Sequence, residues 1–204
     1  MNIENNEKQK YEKAWQCGAE GQSRTAWYIF NLLKNILNKE SKILDLGCGN
    51  GMIVELLRQN GFRNIYGIDI TLEGLKLYTP NIKFNQPIPE FKPQKENYFE
   101  APIWNLPFKN NEFDFTFSVD VLEHLPPELL EKSLQEIIRI TKTKTFHCIS
   151  TFKDNRQGFV FHLSIFPIDW WKEKLLSLNN KNLEIEIIDR TSFLKENISN
   201  YEGK

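Results

Sequence analysis

The stretch KILDLGCGNGMIVELLRQNGFRNIYGIDI, residues 42–70, decides the fold. It begins with a short apolar run at 42–47, which has the pattern of a strand buried on both faces. Three glycines follow, and residues 52–61 then carry a helical pattern that Gly61 closes. A second strand pattern covers 64–69. Two strands joined by a helix are the unit of a parallel sheet, so this stretch predicts an α/β fold.

Strand and helix patterns alternate on both sides of this unit. A helix with apolar residues at helical spacing is predicted before it, and a short helix capped by Thr71 after it. The predicted helices cover 23–37, 52–61, 71–78, 126–140 and 169–178, and the later strands cover 113–119, 144–151 and 183–190. We therefore predict an α/β protein with a doubly wound, mostly parallel seven-stranded sheet flanked by helices. Residues 79–97 contain four prolines and no period, which predicts a surface insertion.

Length and composition indicate one globular domain over residues 1–204. Hydrophobic residues make up 40% and charged residues 26%, and no apolar run approaches the ~20 residues of a membrane span. The polar N-terminus lacks the apolar core of a secretory signal, so a cytoplasmic location is expected. Three scattered cysteines predict reduced thiols rather than disulfides or a thiolate zinc site. A net charge of −1 disfavours a nucleic-acid partner and leaves the oligomeric state open.

The glycine loop predicts a nucleotide-type ligand, because glycines between a strand and a helix let a ligand approach the backbone closely. A dinucleotide fingerprint that starts at Gly47 needs a third glycine at position 52, where Met52 stands. Asp45 lies two residues before the loop and would repel a pyrophosphate. It would attract the ammonium and sulfonium groups of S-adenosylmethionine (SAM), which favours SAM over NAD. Asp69, at the end of the second strand, suits the ribose diol of either ligand.

Five motifs together resemble the successive motifs of class I SAM-dependent methyltransferases. They are ILDLGCGNG, IYGIDI, IWNLPF, FDFTFSVDVLEHL and CIST, in this order. The resemblance spans residues 23–178. It implies a Rossmann-like fold, SAM as the cofactor and methyl transfer as the activity.

The resemblance also implies which residues contact SAM. Backbone in the glycine loop would contact the methionine and ribose portions, and Asp69 would bind the ribose hydroxyls. Adenine would lie beside residues 102–103, although many relatives have an acidic residue where Pro102 stands. The implied cofactor contacts are Arg24, Asp45, Gly47, Cys48, Gly49, Asp69, Ile70, Pro102, Ile103, Ser118 and Val119.

Candidates for acid–base chemistry are few, because the chain has only three histidines. His124 follows the fourth strand and His162 follows the fifth, so both are expected at the edge where doubly wound sheets bind ligands. With Asp120 they form the predicted catalytic set. Adding Glu123 gives a carboxylate and imidazole set like that of metal-dependent 2′-O-methyltransferases, but we predict no metal. The third histidine, His147, lies in an apolar strand and is interpreted as a core residue.

The absence of two motifs narrows the range of molecules that could accept the methyl group. Neither the D-P-P-[FY] motif of amino-group methylation nor the P-C nucleophile of pyrimidine C5-methylation follows the fourth strand. We therefore predict transfer to an oxygen of a small molecule, with a sugar, an activated sugar or a glycan or natural-product precursor ahead of a quinone. A metal-dependent quinone or nucleic-acid 2′-O-methyltransferase, an NAD-dependent oxidoreductase and a non-catalytic SAM-binding module stay open as alternatives. Residues 1–40 are expected to form a helical lid over the site, from which Arg24 would meet the SAM carboxylate.

Overall fold

A computed structural model describes residues 3–19, 24–76 and 93–201 of the chain. Its centre is a sheet of six parallel strands in the order β3-β2-β1-β4-β5-β8. The strands of this sheet are β1 (Ile43–Leu46), β2 (Ile65–Asp69), β3 (Tyr98–Glu100), β4 (Phe113–Val119), β5 (Thr141–Ile149) and β8 (Glu184–Asp189). A separate antiparallel hairpin consists of β6 (Asn155–Arg156) and β7 (Phe159–Val160).

Seven helices of the described chain flank the sheet. They are α1 (Ile3–Gln16), α2 (Arg24–Ile36), α3 (Met52–Gln59), α4 (Glu73–Lys76), α5 (Pro127–Ile140), α6 (Ile168–Leu178) and α7 (Arg190–Tyr201). Apolar residues of α5 and α6 pack on one face of the sheet, and those of α2 and α3 pack on the other. Burial on both faces explains why β1 consists of four fully buried residues. The doubly wound, parallel α/β fold predicted from the sequence is confirmed.

The described sheet has six strands where seven were expected. After β8, the described chain continues directly into α7. Asp189 is the last residue of β8. Its Oδ1 accepts hydrogen bonds from both the backbone N–H and the hydroxyl of Ser192, each at 2.9 Å. This side chain caps the first turn of α7.

Strand β5 begins at residue 141, three residues earlier than predicted. The polar sequence TKTKT conceals the strand, since it lacks the apolar pattern of a buried segment. Thr141 and Thr145 nevertheless bury their hydroxyls against Thr116 of β4, each at 2.8 Å. Hydrogen bonds between threonines thus replace apolar contacts at this end of the strand.

Three other segments refine the sequence prediction. Most of the predicted insertion at 79–97 lies outside the described residues, and its last three residues form a 3₁₀ helix that leads into β3. The helix predicted over 71–78 is described at Glu73–Lys76. The unpredicted hairpin turns at Gln157 and Gly158, whose φ angles of 51° and 83° fit a two-residue turn.

The three cysteines are free thiols, as predicted. In the described segments, no helix is both long and apolar enough to span a bilayer. The single-domain organisation and the cytoplasmic location stay predictions.

Candidate active site

A cavity of about 820 Å³ opens at the carboxyl ends of the central strands. Doubly wound sheets bind ligands at this edge, where the strand order reverses between β1 and β4. The glycine loop after β1 and Asp69 at the end of β2 line one part of it, and Asp120, His124 and His162 line another. Its volume lies in the range of sites that enclose small-molecule ligands.

The glycine loop has a conformation that only glycine adopts readily. Gly47, Gly49 and Gly51 have φ angles of 73°, 55° and 76°. A Cβ on Gly47 would lie 2.5 Å from Cγ2 of Val121, so a side chain does not fit there. Every residue type other than glycine would therefore be strained at this position.

Backbone N–H groups of the loop are already engaged. The N–H groups of Gly47 and Cys48 donate to the carbonyl of Ile68 at 2.7 and 3.0 Å, and Gly49 donates to Asp69 Oδ2 at 2.9 Å. These three donors therefore form no cradle for a pyrophosphate, which agrees with the absence of a dinucleotide fingerprint. A ligand would contact this part of the loop through its Cα atoms and carbonyls.

Two acidic residues flank the loop. Burial, and secondly the charge of Asp69, raise the pKa of Asp45 well above its ordinary value. Loss of surrounding water also raises the pKa of Asp69 to about 6, although hydrogen bonds from the backbone of Gly49 and Thr71 partly oppose this rise. A cationic ligand would offset the cost of ionising both carboxylates, so this end of the cavity favours a positively charged group.

Helix α1 places a residue against the glycine loop that was not predicted as part of the site. The ring of Trp15 lies beside Gly49, 3.3 Å from where a Cβ would stand, and it lines the cavity. The ring also lies against Gly74 of α4, where a Cβ would meet the carbonyl oxygen of Gly49 at 2.7 Å. Gly74 therefore lets α1, α4 and the glycine loop come together. The signal for this contact in the sequence is a glycine inside a predicted helix.

His124 and His162 come together at the other end of the cavity. Their ring centroids are 4.7 Å apart. His124 Nδ1 lies 2.8 Å from the hydroxyl of Tyr11, and His162 Nδ1 contacts the carbonyl oxygen of Phe152. Burial, followed by the charge of His162, holds the pKa of His124 well below its usual value, so its imidazole is neutral at pH 7.

Three of the four residues in the predicted metal-ligand set converge. Glu123, His124 and His162 each offer one ligand atom, and these atoms lie within 4.8 Å of one another. Asp120 is not among them, and its Oδ1 lies 3.3 Å from Nε of Arg190. Burial and the charge of Asp120 raise the pKa of Glu123 well above its ordinary value.

The other predicted site residues differ in whether they line the cavity. Asp45, Gly47, Cys48, Gly49, Asp69, Ile70, Ile103 and Val119 line the cavity. Pro102 and Ser118 are not among the lining residues. Arg24 is the first residue of α2, but its side chain lies outside the described part of the structure.

The side chain of Ser118 is buried, and its hydroxyl forms a hydrogen bond with His147 on the neighbouring strand. Ser118 Oγ lies 2.8 Å from His147 Nδ1, and Thr145 Oγ1 lies 2.9 Å from His147 Nε2. From Thr145 the network continues through Thr116 and Thr141 to the carbonyl of Ile137. Because a carbonyl only accepts, each hydroxyl must donate toward it, and His147 therefore carries its proton on Nε2. His147 is a fully buried core residue.

Burial lowers the pKa of His147 to about 3, which predicts acid sensitivity. Stability from the neutral ring is present above the unfolded pKa near 6.5 and is lost as the pH falls toward 3. We expect the free energy of unfolding to fall by up to about 1.4 kcal/mol per pH unit from this residue alone. Urea titrations of wild type and His147→Gln between pH 7 and 4 measure the difference. Equal pH slopes in the two proteins would contradict the assignment.

The fold is that of a Rossmann-like α/β protein, and one end of its cavity carries two buried carboxylates that favour a positively charged ligand. Residues 44–149, just over half of the chain, match a family model described as a methyltransferase domain. The chain belongs to this family, the class I SAM-dependent methyltransferases, whose cofactor is SAM. This confirms the resemblance drawn from the motifs and favours SAM over NAD.

Known proteins agree with this assignment. The chain is 40% identical over 114 residues to an uncharacterized protein of Methanocaldococcus jannaschii, covering 55% of this chain and 42% of that one. It is 26% identical over 140 residues to a ubiquinone biosynthesis O-methyltransferase of Rickettsia canadensis, covering 68% and 55%. The chain thus spans about half the length of these relatives.

Solved structures share the fold at low sequence identity. A Burkholderia thailandensis 1,6-didemethyltoxoflavin-N1-methyltransferase, solved with S-adenosylhomocysteine, superposes with a TM-score of 0.61 at 14% identity over 84% of this chain and 75% of that one. A SAM-dependent methyltransferase of Archaeoglobus fulgidus gives a TM-score of 0.52 at 17% identity, covering 77% and 70%.

Proposed function

We propose that the protein transfers the methyl group of SAM to an oxygen atom of a small molecule. The observation that carries this proposal is the cavity itself, which joins an acidic, glycine-lined end to an end with two histidines. The first end suits a cationic nucleoside, and the second suits a hydroxyl that must lose a proton. SAM supplies a methyl group on a sulfonium leaving group, so the protein has to align the acceptor and exclude water.

At the cofactor end, we assign Asp45 to the ammonium side of the ligand and Asp69 to its ribose hydroxyls. Gly47, Cys48 and Gly49 would contact the ligand through backbone. Adenine would lie near residues 102–103, with Ile103 rather than Pro102 facing the cavity. The remaining assigned contacts are Ile70 and Val119 at the wall, and Arg24.

At the acceptor end, the proposed acid–base groups are His124, His162 and Asp120. His124 is neutral at pH 7 and therefore has a nitrogen lone pair. The carboxylate of Asp120 is already paired with Arg190, whose Nε lies 3.3 Å from its Oδ1. We therefore assign proton removal to the histidines and the orientation of nearby groups to Asp120.

The acceptor is proposed to be a sugar, an activated sugar or a related precursor, or a hydroxyl on a quinone-type ring. Relatives named ubiquinone biosynthesis O-methyltransferases, at 26 to 27% identity, support the ring hydroxyl. Support for the sugar comes from the resemblance alone. A panel of catechols, phenols, simple sugars and nucleotide sugars, each incubated with methyl-labelled SAM, separates the two classes by where the label appears.

Calorimetric titration with S-adenosylhomocysteine, SAM and NAD tests the proposed cofactor. We expect both sulfur nucleosides to bind and NAD not to bind. Binding of NAD without either sulfur nucleoside would contradict the proposal. Cofactor binding without methyl transfer to any member of the acceptor panel would favour a non-catalytic SAM-binding module.

A second candidate function is metal-assisted O-methylation, and one specific observation favours it. Glu123 Oε2 is buried and has no hydrogen-bond partner among the residues that the structure describes. With His124 and His162 it could hold a divalent cation, which would lower the pKa of an acceptor hydroxyl. His162 donates Nδ1–H to a carbonyl, as metal-bound histidines commonly do.

Chelation distinguishes the two candidate functions. If histidine acts without metal, methyl transfer is expected to be unchanged after exhaustive EDTA dialysis, and the purified protein should hold no stoichiometric metal. A metal-assisted reaction would instead lose activity on dialysis and regain it with added Mg²⁺, Mn²⁺ or Zn²⁺. Metal analysis and activity before and after dialysis measure both.

A further inference from the structure

The Nδ1 atom of His162 contacts a group that can only accept a hydrogen bond. That group is the backbone carbonyl of Phe152. His162 Nδ1 must therefore carry a proton, and the neutral ring has its lone pair on Nε2. The nearest carboxylate oxygen, Asp154 Oδ2, lies 3.8 Å from Nε2, which is too far for a hydrogen bond. His162 is thus the ring that can accept a proton at Nε2.

His124 has a different partner at the same ring position. Its Nδ1 lies 2.8 Å from the hydroxyl of Tyr11. A phenol donates hydrogen bonds more strongly than it accepts them, because its oxygen lone pair is delocalised into the ring. Tyr11 then donates to Nδ1, and the proton of neutral His124 lies on Nε2. The ring of Tyr11 stacks on His124 with centroids 6.2 Å apart and also packs against Phe161, which limits movement of the hydroxyl.

We propose that Tyr11 and the Phe152 carbonyl fix opposite tautomers on His124 and His162, and that this pair selects a hydroxyl oxygen as the methyl acceptor. The inference rests on the proposed function. His162 Nε2 would accept the hydrogen bond of the acceptor O–H, while His124 Nε2–H would donate to the same oxygen. The two rings are 4.7 Å apart at their centroids and line one cavity, so a single atom can lie within reach of both.

This arrangement distinguishes oxygen from nitrogen by the number of lone pairs. A hydroxyl oxygen has two, so one can accept from His124 while the other attacks the methyl group. An amine nitrogen has one, and a hydrogen bond from His124 would occupy it. In the step itself, the O–H proton moves to His162 Nε2 and an O–CH₃ bond forms. The S–CH₃ bond breaks and its electron pair stays on sulfur, which leaves neutral S-adenosylhomocysteine. The imidazolium of His162 then loses its proton to water.

Tyr11 is therefore a positioning residue, because it acts on the acceptor through His124. It lies 113 residues from His124 in the sequence and is brought there by α1. The same helix is held at two other points, by Trp15 against Gly49 and by a 2.6 Å ion pair between Lys8 and Glu100, the last residue of β3. Helix α1 thus connects the cofactor loop to the histidine that orients the acceptor.

Nitrogen-15 NMR of histidine-labelled protein in EDTA tests the assignment directly. Two-bond proton–nitrogen spectra distinguish the tautomers. The signals are assigned with three variants, His124→Gln, His147→Gln and His162→Gln. We expect the proton on Nε2 of His124 and on Nδ1 of His162. In Tyr11→Phe, His124 is expected to lose its single tautomer while the signals of His162 stay unchanged. Tyr66→Phe, which removes a hydroxyl from a ring packed between Phe99 and Phe113, is the control and should change neither.

A proton on Nδ1 of His124 in the wild type would overturn the inference. The Nε2 atoms of His124 and His162 would then both bear lone pairs, which is the arrangement that metal binding requires. An unchanged His124 signal in Tyr11→Phe would overturn it too. Titration with S-adenosylhomocysteine separates this from failure of the proposed function. Wild type and Tyr11→Phe are expected to bind it within about twofold of each other. A wild type that fails to bind it would contradict the proposed function, whatever tautomers are found.

Discussion

Asp69→Asn is expected to weaken the binding of S-adenosylhomocysteine about a hundredfold. A carboxylate that accepts two hydrogen bonds from a ribose diol contributes roughly 3 kcal/mol in total, which corresponds to this factor. The amide would also point an N–H₂ group either at the diol or at the N–H of Gly49, which now donates to Asp69 at 2.9 Å. Calorimetric titration of both proteins measures the change.

Asp114→Asn is the matched control for this substitution. Asp114 also accepts a backbone hydrogen bond at 2.9 Å, from Lys42, but it lies at the opposite end of the sheet from the cavity. We expect Asp114→Asn to lower stability slightly and leave the affinity unchanged. If Asp69→Asn lowered stability but kept wild-type affinity, Asp69 would be a structural residue only.

Binding should also depend on pH, because the pKa of Asp69 is about 6 in the free protein. This pKa is raised, so the proton is favoured below pH 6 and must leave before the carboxylate can accept from the diol. Affinity is therefore expected to fall by up to about tenfold per pH unit below 6. Asp69→Asn should lose this part of the pH dependence, whereas a profile identical to that of the wild type would contradict the assignment.

Gly74→Ala is expected to weaken S-adenosylhomocysteine binding about tenfold or more and to destabilise the protein. Its Cβ would stand 2.7 Å from the carbonyl oxygen of Gly49 and 2.9 Å from the ring of Trp15. Backbone cannot move away as a flexible side chain can, so α4, α1 or the glycine loop must shift. Overpacking of this kind costs about 1–3 kcal/mol, and here the strain falls on the loop that contacts the ligand.

Gly61→Ala separates this local effect from a general loss of stability. Gly61 has a φ of 92°, but the nearest atom to its Cβ position is the end of the flexible Lys39 side chain at 3.4 Å. We expect about 1 kcal/mol of destabilisation from the strained backbone and no change in affinity. Urea titration and calorimetry on both variants give the comparison. Equal affinity in Gly74→Ala and wild type would show that α4 does not shape the site.

Most of the sheet could be predicted from the sequence, because each strand has a short local pattern, continuous and buried in β1 and mostly buried in β4. Strand β4 was predicted at its observed bounds, and β1, β2 and β8 to within one residue at each end. Short apolar runs and alternating patterns between helical segments make such strands visible locally. The start of β5 was missed because its threonines satisfy one another across the sheet, which no local pattern records.

The cofactor end of the site was also accessible from the sequence. Asp45, the glycines and Asp69 lie within 25 consecutive residues, and their spacing follows from one strand–loop–helix–strand unit. The acceptor end was only partly accessible. His124 and His162 could be named as candidates, but Ser118 was predicted to border SAM and instead bonds to His147 inside the sheet. Alternation along a strand does not reveal which hydroxyl has a buried partner on the next strand.

The sequence by itself determined the alternation of the main strands and helices, the glycine loop and the family, since each depends on residues close together in the chain. Only the tertiary structure decided what surrounds His124 and His162. Tyr11 reaches His124 across 113 positions, and Trp15 reaches Gly74 across two intervening helices and two intervening strands. The tautomer of a histidine depends on the atom that its other nitrogen meets, and that atom is supplied by packing between distant segments rather than by the neighbouring sequence.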